Sequence, residues 1–177
     1  MVVPVEEIDE LITVRNRSVI EISFHKKVLL VFMRHFGCSF CREAMADLQK
    51  LDAEKSNKNF EIILVHMSNS EVAEEYFKKF KIGHLDHISD QNCVLYNNFG
   101  LTKANFNQLF GFRSWIRGIE TGLLNGHGWG MQLGDGFQMP GIFTINKGKV
   151  VSEFRHKFPS DKPDYEKLVN CRMNNTK

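Results

Sequence analysis

The chain has 177 residues, 42% hydrophobic and 25% charged, with a formal net charge of +2, a size at which one domain buries a core without disulfide staples. The near-neutral balance, without a dense basic stripe, excludes nucleic acid and acidic membrane surfaces as partners, and no apolar run is long enough to cross a bilayer. The opening MVVPVEEIDELI has acids where a secretory signal carries lysines, and four cysteines are too few for a disulfide scaffold, so the expectation is one cytoplasmic domain over 1–177 with thiols as the default cysteine state.

Residues 11–23, LITVRNRSVIEIS, mix β-branched residues with a polar centre at Asn16 and predict a hairpin or two short strands. VLLVFM, 28–33, is an unbroken apolar run and predicts a strand covered on both faces. From Ser39 to about Lys55 the apolar residues Phe40, Ala44, Met45, Leu48 and Leu51 recur at three and four, the spacing of an amphipathic helix. FEIILVHM, 60–67, predicts a second buried strand. Ser70 is placed to cap the next helix, EVAEEYFKKF, whose acids come early and lysines late. HISD, 87–90, is a short strand or loop, and CVLYNNFG a short helix ended by Gly100. GIFTINKGKVVSEF predicts two strands around Asn146-Lys147-Gly148, and DYEKLVNCRM a final helix. A β-α-β half followed by a hairpin predicts an α/β fold: a mixed central sheet with helices on both faces. Residues 100–140, rich in glycine and aromatics, read as an insertion ahead of the last hairpin.

RHFGCSFCRE, 34–43, stands at the first strand-to-helix junction. There Cys38 meets the free N–H groups and positive dipole end of the helix, and Cys41 lies one turn further in. Such surroundings stabilise a thiolate and bring cysteine pKa values to roughly 3.5–7.5 from about 8.5. Arg34, His35 and Arg42 add cationic or ionisable groups. Cys38 is then the nucleophile and Cys41 the resolver, which attacks an oxidised Cys38 to close a disulfide. Two other readings stay open. The pair could be half of a Cys₂His₂ zinc set with His84 and His87, or two small buried residues in a module that only binds partners. The second signal is QMPGIFTI: Pro140 immediately precedes a strand, and its peptide bond could be cis or trans.

These stretches together carry a resemblance: VFMRHFGCSFCREAMADL (31–48), LVHMS (64–68), HISD (87–90), FGFRSWIRG (110–118), GDGFQMPGIF (134–143) and FRHKFPSDKPDY (154–165). In this order they resemble the peroxiredoxin-like branch of the AhpC/TSA superfamily, and within it the selenoprotein L-like group. The resemblance implies a thioredoxin fold. It places Cys38 and Cys41 at the redox-pair positions, with a Cys38–Cys41 disulfide as the oxidised state and no other cofactor or metal. It also implies a cis peptide before Pro140, opposite the pair, which would present the Met139 backbone to substrate. Hydroperoxides are the implied substrates, a thioredoxin- or glutathione-type thiol the implied reductant, and a homodimer is compatible with the family. The sequence departs from true peroxiredoxins where they carry P-x-x-x-T-x-x-C. Val31 and His35 replace the proline and threonine, so the hydroxyl that orients the peroxide is missing, and this favours dithiol–disulfide exchange.

His35 titrates near neutrality when unperturbed and could relay a proton. Arg34 could hold a thiolate or an anionic substrate. Arg113 and Arg117, flanking Trp115, could line a substrate groove. Cys93 and Cys171 read as bystanders, and His127, between Gly126 and Gly128, could reach the site from the long segment, although no motif places it there.

Overall fold

Five of the six residues of KVLLVF are buried in the strand β1, Lys27–Phe32, and a strand covered this fully belongs in the middle of a sheet. The computed structural model describes residues 11–54, 59–104 and 135–171. Within them the elements run α1 (Val19–His25), β1, α2 (Ser39–Glu54), β2 (Phe60–His66), α3 (Ser70–Lys79), β3 (Asp86–Ser89), α4 (Val94–Asn98), β4 (Gly141–Asn146), β5 (Lys149–Arg155) and α5 (Tyr165–Asn170). The strands form one sheet in the order β3-β2-β1-β4-β5. β1 lies parallel to β2, with Val31 beside Leu64, and antiparallel to β4, with Val31 beside Ile142. β3 extends the parallel half and β5 the antiparallel half.

Because strand side chains alternate, β1 feeds two cores. Leu29, Val31 and Met33 join Met45 and Leu48 of α2, Phe77 of α3 and Leu168 of α5 on one face. Val28, Leu30 and Phe32 join Val19 of α1, Tyr96 of α4 and Phe143 on the other. This is the α/β, thioredoxin-like arrangement that the sequence implies. The β4–β5 turn uses Lys147 and Gly148, both at positive φ (51° and 70°), the pairing that a two-residue hairpin with right-handed strand twist requires.

The N-terminal region corrects the expected hairpin. Only an isolated Ile12–Ser18 bridge forms there, and VIEISFH is helix α1. Ser18 caps it, its Oγ accepting the Glu21 amide at 3.4 Å, so Ser-x-x-Glu reads as a capping box that overrides the β-branched composition. Burial of Val19 against the sheet holds the helix there. The cap of α3 moves by one residue: Asn69, not Ser70, accepts the Val72 amide through its side chain at 2.9 Å.

The ends of the segment 105–134 are tied side by side. Lys103 bridges Gln138, the Ala104 amide donates to the Phe137 carbonyl at 2.7 Å, and Lys103 pairs with Asp135 at 2.7 Å. This neck leads straight into β4. Arg113, Trp115, Arg117 and His127 lie outside the described residues.

Candidate active site

β1 ends at Phe32, and the chain then turns through Arg34–Gly37 to reach α2. The Cys38 amide donates to the His35 carbonyl at 3.1 Å, and the Cys38 carbonyl accepts the Cys41 and Arg42 amides at 3.1 and 3.2 Å. Cys38 therefore occupies the cap position of α2, and Cys41 lies within its first turn. Phe36 anchors the turn. Its ring is buried, stacks on Tyr76 at 4.8 Å between centroids, and meets Phe77 and His66 edge-on and tilted. Tyr96 fixes the strand ends behind it: its hydroxyl sits at the Met33 and Val65 carbonyls, one residue before Arg34.

Arg34 is the polar centre of the site. A guanidinium has donors only, so its Nη1, 3.1 Å from the Cys38 sulfur, donates to that sulfur. Its Nη2 donates to the Gly136 carbonyl, which fixes the side chain from the neck segment. Its Nε is buried with no hydrogen-bond partner. The second sulfur has different surroundings. The Cys41 thiol donates to the Arg34 carbonyl at 3.5 Å. Burial first, and the nearby Cys38 sulfur second, push the Cys41 thiol far above the usual range. Both cysteines are free thiols, 7% and 5% exposed.

The expectation that His35 titrates near neutrality is corrected. Burial, followed by the Arg34 charge, lowers its pKa to about 4, so at neutral pH it is an uncharged imidazole. Its buried Nδ1 has no hydrogen-bond partner.

The cis peptide before Pro140 is corrected too: no cis bond occurs among the described residues. The trans form is intrinsically favoured by about 0.5–1 kcal/mol. Here the chain also runs extended from the Gln138 bridge into β4, with no reversal that a cis bond would serve. Met139 does not present its amide to a substrate; it is buried, and its N–H donates to the Thr102 carbonyl at 3.3 Å. Pro140 shares with Cys41 and Arg34, but not with Cys38, the wall of a cleft open to solvent.

That cleft is a feature the sequence reading missed. Its walls are mainly Val31, Met33, Phe40, Pro140, Ile142 and Tyr165. Lys162 ties its rim, reaching Glu43 and Asp47 at 3.3 Å each. His156 also lines it, kept uncharged by burial with a pKa near 4, its buried Nδ1 without a partner. The stretch FRHKFPSDKPDY carries most of these residues, but nothing in its spacing points to a cleft.

The Cys₂His₂ set is not brought together. His84 pairs with Asp52 at 2.7 Å. His87 is buried and shares a hydrogen with His66 at 2.9 Å. Burial lowers the pKa of both His66, to about 3, and His87. Cys93 is buried at the cap of α4, and Cys171 follows α5 with its sulfur toward the Val151 carbonyl at 3.7 Å. Neither joins the pair. No helix among the described residues is long and apolar enough to cross a membrane.

Comparison with known proteins agrees with this geometry. Residues 20–117 match the Redoxin family. A zebrafish (Danio rerio) protein named prostamide/prostaglandin F synthase is 30% identical over 148 residues, covering 81% of this chain and 73% of its own length. Among solved structures, peroxiredoxin Q of Xanthomonas campestris superposes with a TM-score of 0.59 at 14% identity, over 86% of this chain and 84% of its own. Peroxiredoxin 6 of Arenicola marina gives 0.58 at 10% identity over 86% of this chain, which spans only 62% of that protein. At such identities the superpositions speak for the fold alone, whereas the sequence match runs through β1, the cysteine turn and α2. A thioredoxin-like sheet with a cysteine turn at the end of its central strand, matched over more than half the chain, makes this protein a member of the redoxin (AhpC/TSA) family.

Proposed function

We propose that the protein is a thiol-dependent oxidoreductase that reduces hydroperoxides by cycling Cys38 and Cys41 between dithiol and disulfide. The observation that carries this reading is the contact between Arg34 Nη1 and the Cys38 sulfur, 3.1 Å, at the start of α2. The guanidinium donor and the terminus of α2 both face the sulfur that this reading makes the nucleophile. The Cys38 sulfur attacks the terminal peroxide oxygen, the O–O bond breaks, an alcohol leaves, and Cys38 becomes a sulfenic acid. Cys41 attacks that sulfur; an S–S bond forms, and water leaves with the Cys41 proton. Two reductant thiols, of thioredoxin or glutathione type, restore the dithiol. The pair itself holds the two electrons, and a reducing compartment such as the cytoplasm suits the cycle.

Turnover of hydrogen peroxide and of organic hydroperoxides, followed by coupled NADPH consumption, tests this. Activity lost in Cys38→Ser is the expected result. The name of the zebrafish relative adds a prostaglandin-type substrate to that panel. A second reading, disulfide exchange without peroxidase activity, is favoured by one observation. His35, an uncharged imidazole, stands where peroxiredoxins place a threonine hydroxyl. Reduction of insulin disulfides with no turnover of any peroxide selects it.

A further inference from the structure

Arg34 reaches the Cys38 sulfur with Nη1 at 3.1 Å, and its Nη2 donates to the Gly136 carbonyl. Its Nε has no hydrogen-bond partner. A long side chain loses rotamer freedom when it is held in one pose, and a hydrogen bond weakens steeply as its donor moves out of line. The contact with Cys38 therefore depends on how firmly the Gly136 carbonyl is placed.

That carbonyl belongs to a tight turn. The Asp135 carbonyl accepts the Gln138 amide at 3.2 Å, and Asp135 Oδ1 accepts the Phe137 amide at 2.8 Å. This is an Asx turn inside a β-turn, with aspartate at the first position, where its short side chain reaches the amide two residues on. The Gly136 carbonyl and the Phe137 amide are the two ends of one peptide unit. That unit is planar and trans, so its C=O and N–H point in opposite directions. Asp135 holds the N–H end, and Arg34 takes the C=O end. The turn is also tied to the stretch before the insertion. The Ala104 amide donates to the Phe137 carbonyl at 2.7 Å, and the Met139 amide to the Thr102 carbonyl at 3.3 Å.

We propose that Asp135 is a positioning residue for the thiol chemistry: its side chain orients the Gly136–Phe137 peptide, whose carbonyl holds Arg34 against Cys38. This rests on the reading of Cys38 as the reacting sulfur and adds to it the device that places the donor. The pairing of Asp135 with Lys103 at 2.7 Å is the lesser part. The two side chains are 29% and 63% exposed, and exposed ion pairs contribute little, whereas the bond to the amide fixes a plane. Charge and geometry also act with opposite signs. A carboxylate acting through its field alone would hinder an anionic sulfur nearby, so removing its charge would speed the reaction of Cys38. A carboxylate acting through the turn aids that reaction, and moving it would slow the sulfur.

Two exchanges at Asp135 separate the cases, read as the rate of iodoacetamide incorporation at Cys38 at neutral pH. Asp135→Glu keeps the charge but carries the acceptor one methylene too far for the Phe137 amide. It should slow alkylation by about threefold or more, a part of the loss in Arg34→Met. Asp135→Asn loses the charge but keeps an oxygen acceptor for that amide, and it should retain at least about half the native rate. In an Arg34→Met background the Asp135→Glu exchange should have no further effect, because the turn would have no guanidinium left to place. Faster alkylation in Asp135→Asn with a native rate in Asp135→Glu would show that charge alone acts, and overturns the proposal. So do native rates in both variants with a lowered urea midpoint, which would leave Asp135 a role in stability only. A loss that persists in full in the Arg34→Met background, or no loss in Arg34→Met itself, overturns it as well. Alkylation needs no disulfide. Absence of a Cys38–Cys41 bond after oxidation would therefore remove the dithiol reading, while these rates still report how Asp135 acts on Cys38.

Discussion

Arg34 does three things with one side chain: it donates to the Cys38 sulfur, it is clamped by the Gly136 carbonyl, and it lines the cleft. A hydrogen bond to a charged group contributes roughly 1.5–3 kcal/mol. Arg34→Met should therefore slow alkylation of Cys38 at neutral pH by about tenfold or more, read from iodoacetamide incorporation at that cysteine. An unchanged rate would mean that the helix terminus alone sets its reactivity. A second prediction concerns the buried histidines. His35, His66 and His156 have pKa values lowered to about 4, 3 and 4, against about 6.5 in the unfolded chain. The unfolded state then binds more protons between these values. Stability is fully present above about pH 6.5 and falls as the pH drops toward 4. Urea midpoints at a series of pH values should decline over that window; a flat profile would show that these imidazoles are not desolvated.

At the level of elements, the sequence was most legible where one signal dominated. The unbroken apolar run of β1 and the three-four spacing of α2 needed no tertiary information, and their junction put Cys38 at a helix cap. It was least legible at 11–25, where β-branched residues outweighed the Ser18-x-x-Glu21 cap. Ser18→Ala should cost about 0.5–2 kcal/mol in chemical denaturation, and no loss would show that burial of Val19 holds α1 unaided. Tyr96 was invisible as a site residue for another reason. Its hydroxyl acts across the fold, on carbonyls of β1 and β2 brought together by the sheet. Tyr96→Phe should destabilise by about 1–3 kcal/mol, since it leaves a buried Met33 carbonyl without its donor. It should also change the reactivity of Cys38, because Arg34 follows directly; a purely structural role would leave alkylation kinetics untouched.

For the whole molecule, a mixed sheet with a parallel half and a closing hairpin was readable from the alternation of strands and helices, whereas the strand order β3-β2-β1-β4-β5 came from the structure. The cleft was not readable. It is assembled from α2, the start of β4 and the 156–165 stretch, far apart in sequence, and only folding brings His156 and Lys162 beside Cys41. The trans bond before Pro140 was hidden for the same reason, since the neck that extends the chain there is a long-range pairing of Lys103 with Gln138. The dithiol chemistry rests on the coupling of two sulfurs held one helical turn apart. Non-reducing peptide mass spectrometry after one equivalent of hydroperoxide measures it most directly. A single intramolecular bond between Cys38 and Cys41, with Cys93 and Cys171 still alkylatable, is the predicted result. Cys38 and Cys41 both remaining free thiols, or a bond from Cys38 to Cys93 or Cys171, would contradict it.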